Sequence, residues 1–151
     1  MANAQAMCTS FKTEILNGIH ALGTSVVRAG TGADSLKAAL YLASASLGAG
    51  TTAYSATGEV TGTNYTAGGV AVTNATAPTS SGTTAYWTPR ASFTYTTVTL
   101  ATSFDCVLVY NSTQSNKAIS VHTFGAQTIT AGTFSLSMPT NDSTNALIRI
   151  A

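Results

Sequence analysis

The chain has 151 residues, of which 44% are hydrophobic and only 7% are charged, against roughly 25% charged in a typical soluble protein. This length fits a single domain over residues 1–151 with a core of its own, and the ordinary apolar content excludes disorder driven by charge. The six basic side chains are spread singly, which argues against a nucleic-acid partner, and no apolar run approaches the roughly 18 residues of a membrane span.

The N-terminal part of the chain has the periodicity of an amphipathic helix. Apolar side chains recur there every three or four positions, the spacing that places residues on one helical face: Phe11, Ile15, Ile19 and Leu22. We therefore expect an N-terminal arm followed by one α-helix over about residues 7–22. Gly23 is a natural stop for this helix, whereas Gly18 inside it costs about 1 kcal/mol relative to alanine.

Most of the remaining chain alternates apolar and polar residues with the period of two that is typical of β-strands. A change of parity after Thr97 also predicts a β-bulge. The predicted strands are 36–43, 70–73, 92–100, 106–110, 117–124, 128–130, 133–138 and 147–150.

The connections complete the predicted fold. Hairpin turns are expected in the polar segment 111–116 and at Ala131–Gly132. Segments 44–63 and 73–86 have no period and are predicted to be long surface loops, with a turn of helix at 56–59 in the first. About seven to nine short strands at this spacing predict a mainly β protein, an antiparallel β-sandwich that is jelly-roll-like, with one N-terminal α-helix.

The sequence has few residues suited to catalysis or metal binding. Its two histidines, two cysteines and five acids are scattered, without the paired spacing of a zinc site or the clustered oxygens of a calcium site. Ser120, His122 and Asp105 could be named as a Ser/His/Asp set, but no local signature supports it, and His122 is expected at the surface. Cys8 and Cys106 are expected to be free thiols. We therefore expect neither an enzyme nor a metal or cofactor site.

Two groups of residues are candidates for an interaction surface. One is the apolar stripe of the helix, formed by Met7, Phe11, Ile15 and Ile19. Its alternative role is to close an open end of its own sandwich. The other group has the residue types that dominate binding hot spots: Tyr86, Trp87 and Arg90. A sugar platform and a core position for Trp87 stay open as alternatives to this aromatic contact.

Seven stretches form a pattern that extends over nearly the whole chain: SFKTEILNGIH (10–20), KAALY (37–41), GEVTGTNYTAGG (58–69), LVYNST (108–113), NKA (116–118), PTND (139–142) and ALIRIA (146–151). This pattern resembles a family of small virion structural proteins of tailed bacteriophages. The resemblance implies a capsid cement, or decoration, protein. Such proteins often have a jelly-roll-like sandwich and sit as oligomers on the outer shell. The family brings no catalytic residues.

The expected partners follow from this resemblance. They are a second copy of the chain, in a dimer or trimer, and the phage major capsid protein or a neighbouring virion protein, with no nucleic acid and no membrane. The expected location is the virion, assembled in the bacterial host cytoplasm. Two alternatives stay open: a neck, tail or head-fibre structural protein, and a carbohydrate-binding β-sandwich that uses Tyr86 and Trp87.

Overall fold

The computed structural model describes residues 2–16, 18–22, 33–73 and 77–151. Within them the chain forms one short helix and eight strands: β1 (Ala6–Met7), α1 (Thr9–Leu16), β2 (Leu36–Leu42), β3 (Val70–Ala71), β4 (Thr79–Ser81), β5 (Thr84–Trp87), β6 (Phe93–Asn111), β7 (Lys117–Leu136) and β8 (Ile148–Ile150). These strands form two antiparallel sheets, in the orders β1-β7-β6-β2-β3 and β4-β5-β8. The predicted fold, a mainly β antiparallel sandwich with one N-terminal helix, is confirmed.

A long hairpin of β6 and β7 forms the centre of the larger sheet. The two strands are joined through residues 112–116, so the hairpin predicted at this segment is confirmed. Segments predicted as separate strands run together within β6 and within β7. The irregularities between those segments are bulges, which bend a strand without ending it.

Two of these bulges carry residues with a positive φ. The bulge predicted after Thr97 is confirmed, because Thr97 has a φ of +53° at a shift in the pairing of β6 with β7. The hairpin turn predicted at Ala131–Gly132 is wrong. Ala131 has a φ of +47°, and its N–H donates to the hydroxyl of Thr99 at 3.0 Å while β7 continues. Small residues such as these favour a bulge as well as a turn, so the sequence pattern did not distinguish the two.

Helix α1 ends at Leu16, so the prediction of a helix as far as residue 22 is wrong. Gly18, with a φ of +65°, is the residue that stops it. Two hydrogen bonds close the helix in a Schellman turn, from Gly18 N to Ile15 O at 2.9 Å and from Ile19 N to Glu14 O at 3.0 Å. The predicted stop at Gly23 lies outside the described residues.

The two predicted loops have different outcomes. Segment 44–63 contains no named strand, as predicted, and residues 56–59 form a non-helical turn instead of the expected turn of helix. Segment 73–86 was expected to be a loop, and this is wrong because it contains β4 and the start of β5. All three residues of β4 are exposed hydroxyl residues, so this strand lacks the apolar alternation that signals a strand.

One apolar cluster joins both sheets and the helix. Strand β2 is buried along nearly its whole length, which confirms the prediction of a strand covered on both faces. Phe11 from α1 and Trp87 from β5 belong to the same cluster. The helix and the three-stranded sheet therefore each contribute a large side chain to the same core.

Candidate interface

A groove of about 240 Å³ lies between the end of α1 and the three-stranded sheet, and we call it the interface groove. Its mostly apolar lining includes Ile15, Leu22, Tyr86, Trp87, Ile148 and Ile150. The structure thus brings together members of both predicted groups, Ile15 from the helical stripe and Tyr86 and Trp87 from the aromatic group.

Strand alternation builds one wall of the interface groove. Across β5 and β8, Trp87 pairs with Ile148 and Ala85 pairs with Ile150, so these four side chains share a face of the sheet. Arg149 lies between the two isoleucines and projects from the opposite face, where its guanidinium lies 3.5 Å from the carbonyl of Ser143. The wall facing the interface groove is therefore apolar and carries no charge.

Two of the predicted interface residues lie inside the chain's own core. Phe11 is fully buried and packs edge-on against the His20 ring, with 4.7 Å between the ring centroids. Trp87 is 1% exposed. These positions favour the alternatives that the sequence left open, in which the helix closes its own sandwich and Trp87 packs in the core.

The other predicted residues do not join the interface groove. Met7 lines a separate cleft with His122. Ile19 is half-buried beyond the Schellman turn, where it no longer shares a helical face with Ile15. Arg90 is exposed after β5, and its backbone N–H donates to the carbonyl of Thr73 at 3.0 Å.

Sequence reasoning missed several members of the interface groove, among them Ile148, Ile150 and Leu22. Ile148 and Ile150 were predicted to lie on a strand but not at an interface, and Leu22 was assigned only to the apolar face of the helix. The signal available in the sequence was the alternation of two isoleucines around Arg149 near the end of the chain. Their position against Trp87 depends on a pairing between distant strands, which the sequence pattern does not specify.

A buried carboxylate at the end of α1 ties the helix to the larger sheet. Glu14 accepts hydrogen bonds from Lys117 Nζ at 2.5 Å and from His20 Nε2 at 2.7 Å. Burial opposes ionisation of Glu14, but these two bonds and the positive charge of Lys117 outweigh it and hold the pKa of the carboxyl below its usual value. The helix end is therefore fixed to the first residue of β7 by an ion pair.

The tautomer of His20 follows from its neighbours. Asn111 Oδ1 accepts the backbone N–H groups of residues 113 and 114, each at 3.1 Å, so its Nδ2 must be the donor 3.0 Å from His20 Nδ1. The same Nδ2 also donates to Asp34 at 2.8 Å. His20 therefore accepts at Nδ1 and donates from Nε2 to Glu14. This network orders the segment that lines one side of the interface groove.

Two members of the Ser/His/Asp set considered from the sequence, Ser120 and His122, lie close together. Ser120 Oγ and His122 Nε2 are 2.8 Å apart, because residues two positions apart on β7 share a face. Ser120 is 1% exposed, and Asp105 accepts a hydrogen bond from Asn3 Nδ2 at 2.6 Å. His122 is half-buried and not at the surface as expected: it lines a cleft together with Met138 and Leu147, and burial lowers its pKa to about 4.

The remaining titratable groups give no metal centre in the described part of the chain. No group of three or more His, Cys, Asp and Glu side chains there is arranged to hold a metal ion. Cys8 and Cys106 are free thiols, as predicted. Both are buried, and burial raises their thiol pKa to about 11 and about 12. Among the described residues, no helix has both the length and the apolar character needed to cross a membrane.

Comparison with known proteins adds no relative: no protein-family model, no curated protein and no solved structure matches the chain.

Proposed function

We propose that this chain is a non-catalytic structural protein of a tailed-phage virion, a capsid cement protein that binds and stabilises the major capsid shell. The observation that carries the proposal is the ordered set of seven stretches, whose pattern resembles that of small phage virion proteins. The two-sheet antiparallel sandwich supports it, because the resemblance implies that architecture.

The surface chemistry supports the same role. Charged residues are only 7% of the chain. One of the few cations, the half-buried Lys117, forms an ion pair with Glu14. Surface charge is one of the means by which proteins resist association. A protein with so little of it is suited to dense packing beside copies of itself and a neighbouring shell, through apolar and backbone contacts. The partners of the proposal are therefore a second copy of the chain and the major capsid protein.

The experiment is to count the copies of this protein in purified virions by quantitative mass spectrometry, against the major capsid protein. Hundreds of copies per particle are expected for a cement protein. About six or twelve copies would indicate the alternative role at a neck, tail or fibre, since those structures are built from small symmetric rings. Absence from the virion would overturn the virion role altogether.

The carbohydrate-binding alternative has less support. A sugar platform needs an accessible aromatic face, and Trp87 is 1% exposed. Tyr86 is half-buried beside an apolar wall that offers few hydrogen-bonding groups to sugar hydroxyls.

A further inference from the structure

A polar cleft of about 460 Å³ lies between β1, β7 and the segment that leads into β8, and we call it the His122 cleft. Four of the side chains that line it are polar: Gln5, His122, Asn145 and Arg149. An apolar recess of about 100 Å³ adjoins the cleft, because His122 and Leu147 line both spaces. The residues named for the two spaces all lie in the continuously described segments 2–16 and 77–151.

One ring nitrogen of His122 is available to a ligand in this cleft. His122 Nε2 lies 2.8 Å from Ser120 Oγ, and Nδ1 has no hydrogen-bond partner among the described residues. In that part of the chain the buried side-chain atoms that lack a partner belong to Ser10 and Asn141, so Nδ1 of the half-buried ring is reached by solvent. When the Ser120 hydroxyl donates to Nε2, Nδ1 carries the proton and donates into the cleft.

Arg149 supplies the positive charge of the cleft. It is exposed, and within the described structure its guanidinium has only the long contact of 3.5 Å with the carbonyl of Ser143. The neighbouring carboxylate of Asp142 accepts the N–H groups of Thr144 and Asn145 at 2.8 Å and 2.7 Å, and forms no ion pair with Arg149. The guanidinium therefore keeps free donors, and their planar fork matches the two oxygens of a carboxylate.

The adjoining recess is suited to an apolar group. Its lining contains two aromatic rings and two flexible or branched apolar side chains: Phe93, Phe124, Leu136 and Met138. Phe93 pairs with Leu136 across β6 and β7, so this wall is fixed by the strands of the larger sheet. A ligand whose charged end lies in the cleft can bury a tail here and gain the free energy of removing that tail from water.

We propose that the His122 cleft binds a small monocarboxylic acid with a short apolar tail, its carboxylate held by Arg149 and His122 Nδ1 and its tail in the adjoining recess. This site goes beyond the virion role and does not depend on it.

The experiment is a titration of the purified full chain with hexanoate at pH 7, followed by NMR of the two histidine rings. The signals of His122 should shift and saturate, with a dissociation constant of about 1 mM or lower for a ligand of this size. The signals of His20 should stay in place, since that ring lines the interface groove and neither of the two spaces. The spectrum of His122→Gln assigns the two sets of signals.

Two further ligands test the two parts of the site on the wild-type protein. Acetate lacks the tail and 1-hexanol lacks the charge, so each should bind at least tenfold more weakly than hexanoate. A dissociation constant for 1-hexanol equal to that for hexanoate would overturn the role of the carboxylate, and an equal value for acetate would overturn the role of the recess.

A pair of variants tests the cation. Arg149→Gln should raise the dissociation constant of hexanoate at least tenfold. Arg90→Gln is the matched control, because Arg90 is also exposed but lines neither space, and it should bind like the wild type. Equal weakening in both variants, shifts confined to His20, or no shift of either histidine would each overturn the site. None of these results changes the copy number in virions, so the two proposals fail separately.

Discussion

The hydroxyl of Tyr65 donates to the carboxylate of Glu59 at 2.8 Å. Glu59 is 6% exposed and accepts two further hydrogen bonds, from the Tyr54 hydroxyl at 2.6 Å and from the N–H of Gly68 at 2.7 Å. Burial raises the pKa of both tyrosines above its usual value, and the bonds to Glu59 add to this effect, so the hydroxyls remain donors. This cluster fixes segment 43–69 without regular secondary structure.

The first prediction concerns this buried carboxylate. Tyr65→Phe removes one donor and leaves a buried charge less well satisfied, so it should lower the free energy of unfolding by about 1–3 kcal/mol. The measurement is urea unfolding followed by circular dichroism. Tyr86→Phe, at a half-buried tyrosine outside the cluster, is the control and should change the free energy of unfolding by less than about 0.5 kcal/mol. Equal effects in the two variants would argue against the role of Glu59.

The second prediction separates core packing from an interface role for Phe11. Phe11 is fully buried in the described structure, so Phe11→Ala should lower the free energy of unfolding by about 3–5 kcal/mol through lost burial and a cavity. The test is thermal and chemical unfolding of the variant at a concentration that keeps it monomeric. If stability stays at the wild-type level while self-association is lost, then the helical stripe is an exposed interface and this assignment of Phe11 to the core is wrong.

The third prediction is a pH dependence from His122. Burial lowers its pKa from 6.5 to about 4, so between these values the unfolded chain binds a proton that the folded chain does not. The free energy of unfolding should therefore be unaffected by this group above pH 6.5 and decrease as the pH falls from about 6.5 to about 4, by up to about 3 kcal/mol in total.

The measurement for His122 is the difference in unfolding free energy between the wild type and His122→Gln at several pH values. Glutamine keeps a hydrogen-bonding group near Ser120 but does not titrate. As the pH falls across this window, the wild type should lose unfolding free energy relative to His122→Gln. A difference that stays constant from pH 7 to pH 4.5 would show that His122 titrates equally in both states.

The fourth prediction distinguishes a steric clash from backbone strain. A Cβ at Gly69, where φ is +73°, would lie 1.8 Å from the carbonyl oxygen of Ala38. Gly69→Ala should therefore cost at least about 4 kcal/mol or prevent folding. Gly82 has a φ of +59° with no atom within 4 Å of such a Cβ, so Gly82→Ala should cost about 1–2 kcal/mol from strain alone. Comparable melting temperatures for the two variants would contradict the close approach at Gly69.

The fifth prediction tests how the protein is held on a virion. Exposed ion pairs contribute only about 0–1 kcal/mol each, and molar salt screens them within about 3 Å. With so few charges, the protein should stay on purified particles when the salt concentration is raised from low to molar. Retention is measured by sedimenting the particles and quantifying the bound protein. Release at high salt would mean that charge interactions, and not apolar contacts, hold the protein on the particle.

The sequence predicted those features that a local pattern determines. The parity change after Thr97 indicated a bulge because side chains on a strand alternate strictly between faces. The signal at Ala131–Gly132 was ambiguous because turns and bulges both accept a residue with a positive φ. Strand β4 gave no signal, since a strand exposed on both faces has no reason to alternate.

The interface groove was only partly predictable for a different reason. Ile15 and Tyr86 were identified from residue type and periodicity, which are local properties. Their meeting with Ile148 depends on how β8 pairs with β5 and on where Gly18 ends the helix. Both are outcomes of tertiary packing, so the separate patches were predictable but the groove that they form was not.

The bulges of the long hairpin also bear on solubility. Between Ala118 and Met138 the chain has no acidic or basic residue other than neutral His122, so β7 has little charge with which to repel another strand. Shifts in register, including the one at Ala131, divide this 20-residue strand into short straight runs. A short run is a poor template for the addition of further strands. The bulges therefore oppose fibril growth along this hairpin, a role that charged side chains such as lysine have in other sheets.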